Sequence, residues 1–238
     1  ILVNLDHKNM LYLLKSSKMF KKILSYFYPI TIYNKSSKIS QSLEVTLYNG
    51  KTLLNTKNTN YSYGSLQTVL KKALTTIGKS EISKMDYILV LGVAGGSVVQ
   101  TLVTDFEFTK NIIGIELDTE IIEIANSYFN LDKIRNFKCI IADAEEFVKT
   151  DKNTYNLIII DIFKDTEMPE FLFQENFITN IKERLHNRSY IIFNIMLLDV
   201  SKKNKINTFL QHFDDENYTK KILKNVERYN DLIIIKRL

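Results

Sequence analysis

A doubly wound α/β domain with a mostly parallel sheet, preceded by a small helix-plus-hairpin unit, is the fold this sequence predicts. Three observations carry that expectation. From Tyr63 onward, short apolar runs alternate with segments of helical periodicity. The runs, Leu157-Ile158-Ile159-Ile160 among them, are continuous rather than alternating, as in strands covered on both faces. The first of them, Tyr87-Ile88-Leu89-Val90-Leu91, runs straight into a glycine-rich turn followed by a helical pattern.

In chain order, residues 8–28 carry apolar side chains at helical spacing (Met10, Leu11, Leu14, Met19, Ile23, Leu24, Phe27), and Pro29 ends that run. Residues 43–47 and 52–54 flank Asn49-Gly50, a dipeptide suited to a primed two-residue turn, which predicts a β-hairpin. Residues 1–62 are therefore read as an N-terminal helix and hairpin unit, and residues 63–238 as a nucleoside-binding α/β domain. A helix through Leu66, Val69, Leu70 and Leu74 opens the larger part. Strands are expected at 86–91, 111–116, 137–141, 155–161 and 188–195, with helices at 96–104, 119–129, 143–150 and 174–186. The tail predicts a helix over 203–213 and two closing strands, 218–224 and 231–236, joined by a turn at Asn230-Asp231.

The 238 residues are 45% hydrophobic, enough to bury a sizeable core. Against 27 Asp and Glu stand 32 Lys and Arg, a formal charge of +5 without a sustained basic face, which argues against nucleic acid as the partner. One cysteine, Cys139, permits no intrachain disulfide and no thiolate metal cluster, and suits a reducing cytoplasm. His7, His186 and His212 lie far apart and form no ligand spacing, so no metal is expected. No apolar run predicts a membrane span, and no secretory signal is read in these residues. The expected partner is a small-molecule acceptor, and the first helix and hairpin are the candidate surface for a homodimer.

The chemistry is expected at four strand ends. After the first strand, Gly92-Val93-Ala94-Gly95-Gly96-Ser97 lets the backbone turn sharply and approach a ligand, with helix N–H groups free just beyond. The second strand ends Glu116-Leu117-Asp118, with Glu116 24 residues past Gly92, close to the ~20 at which an acid grips ribose hydroxyls. Asp118 suits an N-cap. The third strand ends Ala142-Asp143-Ala144, where Asp143 is placed either to accept from an adenine amino group or to cap the next helix. The fourth ends at Asp161, facing the same crevice. The first turn departs from dinucleotide spacing, since Ala94 and Ser97 stand where further glycines would, and no Gly-Lys-Ser/Thr is present. An adenosyl sulfonium fits this pattern better than a dinucleotide. Phe171, Leu172, Phe173 and Phe177 are read as the seat of a helix, with a lid over the pocket as the sharper alternative.

These residues resemble the spermidine synthase family of aminopropyltransferases, a branch of the class I methyltransferase-like (Rossmann-like) fold, over about residues 40 to 200. The hairpin, Asn60-Tyr61-Ser62-Tyr63, the Gly92–Ser97 turn, Glu116-Leu117-Asp118, Ala142-Asp143-Ala144 and Asp161 with Leu172-Phe173 carry the likeness. The resemblance implies S-adenosylmethionine or its decarboxylated form as cofactor, held by Gly92, Ala94, Gly95, Gly96, Glu116, Leu117, Asp143 and Ala144. It places Glu116 on the ribose, Asp143 on the adenine, and Asp161 and Tyr63 at the acceptor. Three departures accompany it. Gly95 stands where the family has an aspartate for the propylamine. Lys164, followed by Asp165, stands where a polyamine-binding aspartate is found, and the Thr59–Ser65 segment carries no acid. A polycation needs carboxylates around it. The expected activity is therefore methyl transfer from S-adenosylmethionine to an unidentified acceptor. The alternatives are a divergent aminopropyltransferase using decarboxylated cofactor and putrescine, and a non-catalytic adenosyl-binding or assembly protein.

Overall fold

A computed structural model describes residues 18–56, 60–164, 167–196, 201–227 and 230–238. Residues 18–24 form helix α1; residues 8–17 of the expected helix, like Thr59 and Asp165, lie outside the described residues. A four-stranded antiparallel sheet follows in the order β1 (Ile30–Lys35), β2 (Leu43–Tyr48), β3 (Lys51–Asn55), β4 (Asn60–Ser62). Asn49 and Gly50 both take positive φ, 49° and 71°, as the primed turn between β2 and β3 requires. Strands β1 and β4 go beyond the expected hairpin. β4 is three residues long, too short for alternation to show, and β1 begins at Ile30 immediately after the proline that ends the helical pattern.

The larger part comprises α2 (Ser65–Ile77), α3 (Lys79–Ile82), β5 (Tyr87–Leu91), α4 (Ser97–Thr104), β6 (Asn111–Glu116), α5 (Thr119–Phe129) and β7 (Phe137–Ile141). It continues through α6 (Ala144–Thr150), β8 (Tyr155–Ile160), α7 (Glu175–Glu183), β9 (Leu185–Met196), α8 (Ser201–Gln211), β10 (Tyr218–Glu227) and β11 (Asn230–Arg237). The sheet has seven strands in the order β10-β11-β9-β8-β5-β6-β7. Strands β7, β6, β5, β8 and β9 run parallel, while β11 and β10 close the sheet antiparallel. The chain leaves β5 toward β6 on one side and returns to β8 on the other, so the sheet switches direction between β5 and β8. In open α/β sheets the crevice at such a switch, beyond the strands' carboxyl ends, is where ligands bind.

Several boundaries shift by one to three residues from the sequence expectation, and two of the differences have a clear physical reason. The helix expected to reach residue 186 stops at Glu183, because Leu185 already pairs with Tyr155 as the start of β9. Asn230-Asp231 is not a turn: both residues belong to β11, paired with Met196 and Ile195. The Asn230 amide has a buried partner in Asn194, so a residue type favoured in turns sits inside a strand.

The continuous apolar runs are explained by two covered faces. Along β5, Ile88 and Val90 enter one core with Leu157, Ile159 and Ile192, against Val69, Leu70 and Leu74 of α2 and Val99 and Leu102 of α4. Leu89 and Leu91 enter the other with Ile158, Ile160 and Phe193, against Phe177 and Ile181 of α7 and Phe209 of α8. The N-terminal sheet builds a third core, in which Leu43, Val45 and Leu54 pack on Ile121, Ile124 and Phe129 of α5. Among the described residues no helix is long and apolar enough to cross a membrane. Truncating Leu54, which is fully buried between the small sheet and α5, is expected to cost about 2–5 kcal/mol. Ile141→Ala, at a side chain 46% exposed on edge strand β7, is expected to stay within about 0.5 kcal/mol. Urea unfolding of the two variants checks the contrast.

Candidate functional site

The carboxyl ends of β5, β6, β7 and β8 meet at one cleft open to solvent. Gly92, Ala94, Glu116, Leu117, Asp143, Ala144 and Asp161 all line it. At its floor is Glu116, buried at 6% exposure. One carboxylate oxygen accepts from the backbone N–H of Val93 (3.1 Å) and Ala94 (3.0 Å) in the glycine-rich turn. The other accepts from Leu117 (2.9 Å) and Asp118 (3.1 Å). Burial pushes the Glu116 carboxyl up, and the four N–H donors oppose that. Glu116 thus fixes the turn after β5 to the end of β6.

Asp118 caps α5 by accepting from the N–H of Glu120. Its other oxygen accepts from the hydroxyls of Ser37 and Ser40, in the loop between β1 and β2. That loop delivers Ile39 to the cleft wall. Asp143 caps α6 through Oδ1, which accepts from Glu145 N (2.8 Å) and Glu146 N (3.2 Å). Its Oδ2 takes no part in the cap. Leu117 is half-exposed, and Ala142 and Ala144 are small, so this side of the cleft offers a flat apolar wall with one acid at its edge.

Asp161 lies directly after β8. Its backbone N–H donates to the carbonyl of Leu91 (2.9 Å), and its carbonyl crowds Gly92: a Cβ at Gly92 would stand 2.2 Å from that oxygen. Gly92 also has φ +87°, so glycine is required there on both counts. The Asp161 side chain accepts from Asn194 Nδ2 at 2.8 Å. Burial raises its carboxyl to about 6, the Asn194 bond pulls it down, and the negative charge of Glu116 pushes it up. Beyond Asp161 the wall is Ile162, Phe163, Lys164, Pro169 and Phe171, apolar except for one cation. Leu172 is fully buried and Phe171 packs edge-on against Phe177 (5.1 Å), so this aromatic segment seats α7 while Phe171 faces the cleft.

Gly95, Gly96 and Tyr63 fall outside the described lining of this cleft. A Cβ at Gly95 would stand 2.8 Å from Ser62 Cβ and 3.2 Å from Tyr63 Cε2, and one at Gly96 would stand 2.6 Å from Leu131. Tyr63 stacks on Phe129 at 4.4 Å and 12°, and burial raises its hydroxyl. Residues that sequence reasoning passes over are Asn194, Asn230 and Ile39. Asn194 has a signal in hindsight, as the single polar residue in Ile191-Ile192-Phe193-Asn194-Ile195-Met196. Ile39 has none, because its place depends on how the small sheet docks.

Residues 67–194 match the spermine/spermidine synthase domain. A polyamine aminopropyltransferase of Vibrio vulnificus is 27% identical over 114 residues, covering 47% of this chain and 38% of that protein. One of Alkaliphilus oremlandii is 28% identical over 123 residues, covering 50% of this chain and 43% of that protein. This chain therefore spans well under half the length of the curated relatives it matches. Among solved structures, a spermidine synthase in complex with the transition-state analogue AdoDATO aligns with a TM-score of 0.61 at 16% identity, over 87% of this chain and 73% of that one. Human methyltransferase-like protein 13 in complex with SAH aligns at 0.57 with 18% identity, over 71% of this chain and 82% of that one. At such identities the structural likeness speaks to the fold, a class I methyltransferase-like sheet. With more than half of its residues inside the matched domain, the chain belongs to the spermine/spermidine synthase family.

Proposed function

We propose that this chain binds an adenosyl sulfonium in the cleft and transfers a carbon group from its sulfur to a nucleophile held at Asp161. The observation that carries this reading is the convergence of four strand ends on one cleft, with acids at three of them. Leu117, Ala142 and Ala144 give a flat base an apolar bed, and Asp143, which lines the cleft and caps α6 through Oδ1, would use Oδ2 for its amino group. Ribose hydroxyls reach Glu116 only by sharing oxygens that already accept backbone N–H groups. The glycine-rich turn and the sugar site are therefore one construction.

The transfer is a direct displacement. The acceptor's lone pair forms a bond to the carbon, the carbon–sulfur bond breaks, and the sulfonium becomes a neutral thioether. Positioning of the two reactants supplies most of the rate. The acceptor's proton goes to Asp161, whose raised pKa suits it to accept near neutrality. Family membership and the names of the relatives support an aminopropyl group and an amine acceptor as the first choice. Two local features favour the second reading, methyl transfer from intact S-adenosylmethionine. Gly95 carries no acid, and the space a side chain would take is filled by Ser62 and Tyr63. The described wall beyond Asp161 bears a lysine.

Titration calorimetry separates the two readings. Tighter binding of decarboxylated S-adenosylmethionine supports aminopropyl transfer, tighter binding of the intact form supports methyl transfer, and binding of neither by the folded protein overturns both. Asp161→Asn is expected to lower transfer by at least ~100-fold, the usual worth of a positioned base. The same variant is expected to raise the thermal midpoint. The folded-state pKa of about 6 lies above the usual carboxylate value of 3.8, so the folded protein holds this proton more tightly than the unfolded chain. Stability is then lost as pH rises between those values and stays lost above them, a cost on the order of 2–3 kcal/mol that an uncharged amide avoids. For the wild-type chain, kcat/KM is expected to fall on the acid side with a midpoint near 6, as Asp161 becomes protonated. A profile flat down to pH 5 would remove Asp161 from the proton's path.

A further inference from the structure

Behind Asp161, away from the cleft, lies a buried pair of carboxamides. Asn194 is 0% exposed and Asn230 9%. Asn194 stands in β9 on the face that carries Tyr190 and Ile192 into the apolar core. An amide there is costly unless its donor and acceptor ends are both used. Both are: Asn194 Nδ2 donates to Asp161 Oδ1 at 2.8 Å, and Asn194 Oδ1 accepts from Asn230 Nδ2 at 3.0 Å. The register explains the contact. Asn194 pairs with Leu232 and Asn230 with Met196 across β9 and β11, so the two amides are diagonal neighbours on one face of an antiparallel pair.

We propose that Asn194 and Asn230 act together as positioning residues for Asp161, with Asn230 fixing which end of the Asn194 amide faces the carboxylate. This rests on the reading of Asp161 as the group that takes the acceptor's proton. A carboxamide can rotate and present either its N–H or its carbonyl. A carbonyl against the Asp161 carboxylate would repel it. The Asn230 N–H occupies the Asn194 carbonyl, so the donor end is the one left for Asp161. A strand that lines none of the cleft thereby sets the orientation and charge state of a residue that does. The other charged or titratable groups described on the surrounding elements include Glu116 and Asp118 at the end of β6, Asp143 after β7, Lys164 beyond β8, Glu227 of β10 opposite Asn230, and Asp231 beside Asn230. Asp231 is occupied by the backbone N–H of Asn225. Among these, Glu116 pushes Asp161 toward the protonated form, as burial does, and the Asn194 donor opposes both.

The test reads Asp161 directly, so that it does not depend on the transfer reaction. The Asp161 carboxyl is followed by ¹³C NMR through a pH titration of the cofactor-free chain, its signal assigned by its loss in Asp161→Asn. Asn194→Leu is expected to move the midpoint up by about one pH unit, the worth of one hydrogen bond to a charged group. Asn230→Leu is expected to move it in the same direction by less, and to add nothing in the double variant. The acid limb of kcat/KM is expected to follow the same order. An unmoved midpoint in folded Asn194→Leu, or an independent shift from Asn230→Leu in the double variant, overturns the proposal. Should Asn194→Leu not fold, Asn230→Leu alone decides, an unmoved midpoint again overturning it. If the midpoints move as expected while Asp161→Asn retains full transfer activity, the amide pair stands and the catalytic reading of Asp161 falls.

Discussion

The Glu116 carboxylate is the joint on which the cleft depends. A buried carboxylate is tolerated only when its oxygens are satisfied, and here four backbone N–H groups from two chain segments converge on it. Those segments are the turn after β5 and the residues that lead into α5. In the first of them Ala94 takes φ +48°, costly for a residue with a Cβ, and its N–H is held there by Glu116. The acid that the ligand's sugar would use is therefore also the acid that builds the pocket. Removing it would lose the geometry together with the contact.

Asp161 shows the opposite balance. Its backbone is locked against Leu91 and Gly92, yet its side chain has one amide donor and sits against the charge of Glu116. A carboxylate so placed is destabilising at neutral pH, which marks it as a candidate functional group rather than a structural one. The Asn194 amide opposes that destabilisation, and Asn230 donates to the same amide. In the proposed reading, a polar side chain in the middle of a buried strand thus serves Asp161 as well as the core.

The small N-terminal sheet adds a wall to the cleft. Its apolar side packs on α5, and its β1–β2 loop is tied by Ser37 and Ser40 to Asp118, the residue that caps the same helix. Ile39 reaches the cleft through that attachment. The end of β4 packs Ser62 and Tyr63 over Gly95, which fills the space where a larger residue would project. Membership of the spermine/spermidine synthase family and the local packing around Gly95 therefore bear on different questions. The first concerns the lineage of the fold, the second which form of the proposed cofactor the turn would admit.

The order of strands and helices from β5 to β9 was legible in the sequence because both faces of the central strands are covered, and a covered strand must be a continuous apolar run. The grouping of Gly92, Glu116, Asp143 and Asp161 was legible for a related reason. In a parallel sheet every strand end points to the same edge, so a polar residue after each apolar run is placed by topology alone. What lay beyond the sequence is everything set by contacts between distant segments. These include the β1 and β4 partners of the hairpin, Tyr63 stacked on Phe129, Ile39 in the cleft wall, and Asn230 inside a strand instead of a turn. Periodicity reports which way a residue faces within its own element. It carries no information on which residue of another element it will meet, and that was decided only when β11 paired with β9 and the small sheet docked on α5.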